Sequence, residues 1–124
     1  MHKLLFQWFL TALIMSAAAS AVKADEFKLK ALIVDSKIKA GAYYPAALSY
    51  EISGEPYLVN ACYLWSGEGP YCFKTTNNKE ELKIVSRLRT KNPGKYELEG
   101  FVKYKTDGEY KESNHVSATI LVER

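Results

Sequence analysis

The sequence has few histidines and cysteines, two residue types that many catalytic centres and metal sites use. Its 124 residues include two histidines and two cysteines, and only one histidine, His115, follows the N-terminal 24 residues. The chain contains no HExxH, EF-hand, phosphate-loop or dinucleotide-binding motif, and no nucleophile motif accompanies His115. We therefore expect a protein that is not an enzyme, with no catalytic residue, no metal ligand and no cofactor.

Runs of basic residues are also absent, which argues against a nucleic-acid partner. The formal charge is +3, from 17 lysines and arginines against 14 aspartates and glutamates. Lys3 and Lys23 lie in the N-terminal 24 residues, so the remainder keeps 15 basic and 14 acidic residues, a net charge of +1. The rest of the chain is almost neutral, and we expect no nucleic acid among its partners.

The N-terminal 24 residues are organised like a secretory signal peptide. A short basic start, an apolar run and a tail of small residues follow one another at residues 1–3, 4–15 and 16–21. The pattern predicts a signal peptide over residues 1–24 and one domain over residues 25–124. It also predicts a secreted or periplasmic location, with no transmembrane segment left after cleavage.

Two cleavage points fit this segment, after Ala21 and after Ala24, and both stay open. An uncleaved membrane anchor is the alternative, because residues 4–22 are nearly long enough to span a bilayer. Gln7 and Thr11 interrupt that stretch and weaken it as a span. No cysteine lies near the cleavage region, so a lipid would have no thiol for attachment there.

The two cysteines, Cys62 and Cys72, predict one structural disulfide bond, as an even number does in an exported protein. Nine residues separate them, whereas thioredoxin-type redox pairs are separated by two, and a metal site would need further ligands nearby. The Gly-Glu-Gly sequence between them predicts a hairpin. Directly opposed cysteines would set Tyr63 opposite Tyr71, with the aromatic residues facing the core and the disulfide facing solvent.

Alternation of apolar and polar residues indicates extended segments and no convincing helix. Leu98, Gly100 and Val102 share one face of such a segment, for example, and Glu97 and Glu99 share the other. The seven segments are residues 27–34, 46–53, 57–66, 70–76, 81–89, 96–104 and 114–122. A helix is the alternative for residues 79–89. The pattern predicts an all-β antiparallel sandwich, with a small closed β-barrel as the alternative.

The sequence Pro-Gly-Lys-Tyr-Glu-Leu at residues 93–98 resembles the tyrosine corner of immunoglobulin-like and fibronectin type III-like domains. The resemblance implies a seven-stranded immunoglobulin-like sandwich in which the hydroxyl group of Tyr96 bonds to upstream backbone. Trp65 would correspond to the core tryptophan of those domains. The strands that carry the antibody-type disulfide have Leu48 and Leu98 instead, so the resemblance is to the architecture and not to an antibody domain.

Two surfaces are candidates for binding. In such a sandwich the third, sixth and seventh strands share a sheet, and Leu58, Leu64 and Phe101 would point outward beside the disulfide. An outward aromatic residue next to leucines predicts a contact patch. Tyr43 and Tyr44, in the connection before the second strand, form the second candidate, because loop tyrosines suit contact surfaces.

These features predict a non-catalytic secreted or periplasmic binding module whose partner is another protein or a cell-envelope component. One alternative is a small secreted inhibitor of a hydrolase such as lysozyme or a protease, which fits the size and the disulfide. Another is an accessory subunit of an envelope assembly, in which the edge formed by residues 27–34 pairs with a neighbour.

Overall fold

The computed structural model describes residues 25–124, so the predicted signal peptide and its two cleavage points lie outside the described residues. The described residues form ten β-strands. In chain order they are β1 (Glu26–Ile33), β2 (Lys37–Lys39), β3 (Tyr43–Ser53), β4 (Tyr57–Trp65), β5 (Glu68–Phe73), β6 (Thr76–Asn78), β7 (Lys83–Arg89), β8 (Gly94–Thr106), β9 (Glu109–Glu112) and β10 (Val116–Glu123). Residues 25–124 contain no helix of the length and apolarity that crossing a membrane requires.

The strands form two sheets that enclose one core. The first sheet has the strand order β1-β3-β7-β6, and the second has the order β2-β10-β8-β4-β5, with β9 paired to β8. Neighbouring strands are antiparallel except β2 and β10, which run parallel. The chain is therefore the predicted β-sandwich, and the closed-barrel alternative is wrong.

Each of the seven predicted segments forms a strand, and three short strands add to them. β2, β6 and β9 have three or four residues each, which is too few for an alternation of side chains to be recognised in the sequence. Residues 83–89 form β7, so the helix alternative for that segment is wrong.

The core forms where the alternating faces of the two sheets meet. In β3 the side chains of Tyr44, Ala46, Leu48 and Tyr50 are buried and alternate with more exposed neighbours. Gly100 in β8 allows close contact between the sheets, because a Cβ atom there would lie 2.9 Å from Leu48 Cδ2. The same atom would lie 3.1 Å from a ring carbon of Tyr63, so a glycine in this central strand has a packing reason.

Two β-bulges reverse the faces that strict alternation would give. In β1 the register shifts between Leu29 and Ala31, and Leu32 is consequently buried whereas Ile33 is 48% exposed. In β4 the register with β8 shifts between Leu58 and Asn60, which sets Leu58 opposite Tyr104. Leu58 therefore packs against the core, and its predicted outward position is wrong, because one extra residue turns a side chain to the other face.

The disulfide and the hydrogen bond of the tyrosine corner form, but the disulfide faces solvent only at Cys72, since Cys62 is fully buried. Cys62 and Cys72 are directly opposed on β4 and β5 and form a disulfide bond, and this register sets Tyr63 opposite Tyr71. The Tyr96 hydroxyl donates a hydrogen bond to the backbone carbonyl oxygen of Asn92 over 3.0 Å. This bond ties the start of β8 to the connection that precedes it.

Candidate functional site

A histidine side chain covers Phe101, the aromatic residue of the predicted contact patch. Phe101 lies on the outer face of the second sheet, but its side chain is only 3% exposed. The His115 imidazole stacks on it, with ring centroids 4.4 Å apart and an interplanar angle of 4°. His115 Nδ1 also contacts a carboxylate oxygen of Glu99, and His115 Nε2 lies 4.0 Å from one of Glu112.

The predicted exposure of Phe101 is therefore wrong. The covering residue, His115, lies in the connection between β9 and β10. It reaches Phe101 because β10 begins beside β8, with Val116 opposite Gly100. Leu64 lies opposite Glu99 on this outer face and is partly buried, whereas Leu58 has turned into the core. The three predicted residues do not form one exposed apolar patch.

Tyr43 and Tyr44 separate to opposite faces of the first sheet, because they are adjacent in β3. Tyr43 is 60% exposed, and the guanidinium carbons of Arg87 and Arg89 each lie 5.2 Å from its ring centroid. Tyr44 is buried, and its hydroxyl oxygen accepts a hydrogen bond of 3.4 Å from Trp65 Nε1. Burial raises the pKa of Tyr44 above its ordinary value, although the bond from Trp65 opposes that shift.

An aromatic groove lies beside this pair, between β5 and the connection from β7 to β8. Its volume is about 290 Å³. The residues that line it are Trp65, Glu68, Tyr71, Phe73, Arg89, Thr90, Lys91, Asn92 and Tyr96. Four of these nine residues are aromatic and five are polar, so the aromatic groove presents both ring surface and charged or polar groups.

The aromatic groove is open because the first sheet does not cover the end of β5. Tyr71 shares the inward face of the second sheet with Tyr63, its directly opposed partner, yet Tyr71 is 53% exposed and Tyr63 is fully buried. On the first sheet, β6 pairs only with β7 residues 83–85. Beyond Val85, β7 pairs with β3 on one side and with no described strand on the other. The inward face of β5 is therefore left accessible.

Buried residues hold the floor of the aromatic groove in place. Tyr71 packs edge-to-face on Trp65 with ring centroids 5.6 Å apart, and Tyr63 lies beneath with its centroid 6.4 Å from that of Trp65. The Tyr63 hydroxyl donates a hydrogen bond of 3.2 Å to Ser86 Oγ. Desolvation by burial raises the pKa of Tyr63 to about 12, so this residue stays neutral at physiological pH.

The charge at the aromatic groove is mainly positive. Arg89 and Lys91 line it, with Glu68 as the carboxylate among its lining residues. Within residues 25–124 the ion pairs involve Lys83 and His115, and neither Arg87, Arg89 nor Lys91 lies within 4.0 Å of a carboxylate oxygen. Three cations therefore stand at or beside the aromatic groove without an anionic partner from the described chain.

A second depression, of about 370 Å³, lies on the outer face of the second sheet. It contains one aromatic ring, that of Tyr110, together with residues such as Val59, Asn60 and Lys103. Lys105 Nζ lies 5.2 Å from the Tyr110 ring centroid. This site lacks the ring cluster of the aromatic groove, but it provides an exposed tyrosine with a neighbouring cation for comparison.

The sequence predicts a structural role for Tyr96 and Trp65 and a binding role for none of the residues that line the aromatic groove. Trp65, Tyr71 and Phe73 lie on the aromatic face for which the sequence predicts burial. Part of this face is exposed because the first sheet ends before it covers β5. The one available signal was the number of aromatic residues on a hairpin at the edge of a sheet.

In the described part of the chain, no three histidine, cysteine, aspartate or glutamate side chains lie close enough together to hold a metal ion.

Comparison with known proteins identifies a fold and no family. No family model matches the sequence, and no curated protein matches it significantly. Among solved structures, the chain is similar to the PKD domain of an M14-like peptidase from Thermoplasmatales archaeon SCGC AB-540-F20, with a TM-score of 0.53 and 13% identity. The match covers 82% of this chain and 100% of that one, and it supports an immunoglobulin-like β-sandwich fold for residues 25–124.

Proposed function

We propose that residues 25–124 form a non-catalytic binding module of an exported protein, and that the module uses the aromatic groove to contact another protein or a cell-envelope component. The observation that carries the proposal is the exposure of Tyr71 on a floor held by Trp65 and Tyr63. Large aromatic side chains with a polar end are enriched at interfaces, where they bury much area at little entropic cost.

Export is supported by two features of the chain. Residues 1–24 have the composition of a secretory signal peptide, and the Cys62–Cys72 disulfide belongs to oxidising compartments.

The similar structure is named as a PKD domain of a peptidase. A similar fold thus occurs as one domain of a peptidase.

Binding through the edge of β1 has less support than binding through the aromatic groove. The Leu29 backbone N–H donates a hydrogen bond of 2.7 Å to Asn114 Oδ1, and Asn114 Nδ2 donates one of 2.9 Å to the Leu29 carbonyl oxygen. These are the groups that an added strand would need. The bulge that follows Leu29 further disrupts this edge as a template for pairing.

Capture from the native envelope and secreted fractions tests the proposal. Immobilised residues 25–124 are compared with Tyr71→Ala and with Tyr110→Ala, which truncates the exposed tyrosine of the other depression. We expect a component that the parent domain and Tyr110→Ala retain and that Tyr71→Ala loses. Retention of no component, or equal retention by both variants, would contradict the proposal.

An inhibitor of a hydrolase would be one special kind of binding module. Assays of lysozyme and of a panel of proteases with micromolar domain separate this alternative from the general proposal. If the parent domain slows hydrolysis and Tyr71→Ala does not, the aromatic groove is the inhibitory surface.

A further inference from the structure

We infer that the occupant of the aromatic groove is an extended acidic segment of a partner protein, with an apolar side chain among the rings and carboxylates against Arg87, Arg89 and Lys91. This inference rests on the proposed function and specifies its ligand. It follows from three properties of the site, which are its size, the position of its cations and their spacing.

The size of the aromatic groove suits one apolar side chain. A volume of about 290 Å³ accepts a leucine or an aromatic ring and is too small for the surface of a folded domain. Trp65, Tyr71 and Phe73 contribute apolar ring surface to the walls, and contact with an apolar anchor would remove that surface from water. A short projecting segment meets this requirement.

Tyr43 lies beside two of the cations. Arg87 and Arg89 each lie 5.2 Å from its ring centroid, and cation–π contacts at this distance favour these positions of the guanidinium groups before any ligand arrives. Restraint lowers the entropy that binding must remove. The donor edges of the guanidinium groups match the two oxygens of a carboxylate.

The spacing of the arginines favours an extended chain. Arg87 and Arg89 are two residues apart in β7, and side chains at such positions project about 6–7 Å apart on one face of a strand. Acidic side chains at alternate positions of an extended peptide repeat with the same period. Arg89 also lines the aromatic groove, so a segment anchored among the rings leads directly onto the arginine pair.

Synthetic peptide pools test this ligand class by the fluorescence of Trp65. Of the two tryptophans in the chain, only Trp65 lies in residues 25–124, so its emission reports on the aromatic groove. One pool of ten-residue peptides has a central phenylalanine or leucine flanked by aspartate and glutamate. The matched pool has asparagine and glutamine in place of the acids, and a third probe is trigalacturonate, an acidic sugar.

We expect the acidic peptide pool to change the emission of Trp65. The amide pool should bind with an affinity lower by a factor of roughly five, since carboxylate–guanidinium pairs at a protein surface contribute on this scale. Arg89→Gln should weaken the acidic pool by a similar factor. Lys105→Gln, which removes the cation beside Tyr110, should leave binding unchanged. Raised salt should weaken the acidic pool selectively.

Four outcomes would overturn the inference, and they separate it from the proposed function. Equal binding of both peptide pools, or binding of trigalacturonate alone, would reject an acidic peptide. A captured component that depends on Tyr71 but not on Arg89 would also reject it, while the binding module would stand. Absence of any captured component and of any probe binding would remove both proposals.

Discussion

The side-chain amide of Asn114 bonds to both backbone polar groups of Leu29, on the free edge of β1. Its oxygen accepts from the Leu29 N–H over 2.7 Å, and its nitrogen donates to the Leu29 carbonyl oxygen over 2.9 Å. A carboxamide presents the same donor and acceptor as a peptide group. Asn114 therefore occupies the two backbone groups of Leu29 that would otherwise be open to another chain at this edge.

Replacement of Asn114 by alanine should lower the free energy of unfolding by about 1–2 kcal/mol, because two hydrogen bonds to backbone are lost. The exposed edge should also promote self-association. Urea denaturation measures the first effect and analytical ultracentrifugation the second. Asn92→Ala is the control, since the Asn92 group that bonds to Tyr96 is its backbone carbonyl and survives the change. Equal stability of the two variants would contradict the assigned role of Asn114.

Replacement of Tyr96 by phenylalanine should cost about 1 kcal/mol of stability, the usual contribution of one hydrogen bond. The change removes only the hydroxyl that donates to Asn92, and the ring remains in place. Tyr57→Phe, at a tyrosine exposed to solvent, should leave the free energy of unfolding nearly unchanged. A loss that is the same for both variants would show that the tyrosine corner adds nothing to stability.

Stability should fall at alkaline pH because of Tyr63. Its folded pKa is about 12, raised by desolvation from an ordinary value of 10.0, so folding favours the neutral phenol. The resulting stabilisation is fully present below pH 10 and is lost as the pH rises through 12, with a total of about 2–3 kcal/mol. Denaturation at a series of pH values measures it.

Tyr63→Phe should flatten that decline, because phenylalanine does not titrate. Phe73→Leu is the matched control at a neighbouring ring, and it should lower stability by the same amount at every pH in the series. An alkaline decline of unchanged slope in Tyr63→Phe would assign the effect to other groups. Tyr44, Tyr50 and Tyr104, whose pKa values burial also raises, would then be the next residues to replace.

Removal of both cysteines should destabilise the domain by roughly 3 kcal/mol on the loop-entropy account. The bond joins residues ten positions apart, and it holds β5 in the register that places Tyr71 over Trp65. Chemical reduction of the parent domain should give the same loss as Cys62→Ala/Cys72→Ala in urea denaturation. A double variant as stable as the parent would show that the hairpin register is set without the disulfide.

Alternation along the chain predicted most of the fold because the period of a strand depends on local geometry alone. The buried positions of Leu98, Gly100 and Val102 followed from that period, and so did the seven main strands. The opposed cysteines then set the register of one hairpin, since a disulfide bridges only residues that lie close together. Tyr96 was identified from a short local motif, and its hydrogen bond spans four residues.

The tertiary structure alone decided the exposure of Ile33, Leu58, Tyr71 and Phe101. Bulges in β1 and β4 turned Ile33 outward and Leu58 inward, and a single added residue leaves little trace in a hydrophobic pattern. The burial of Phe101 required His115 from the connection before β10, and that contact depends on pairing between distant segments. Tyr71 is exposed because the covering sheet ends beside it, and the width of one sheet relative to another depends on the whole chain and on no local stretch of it.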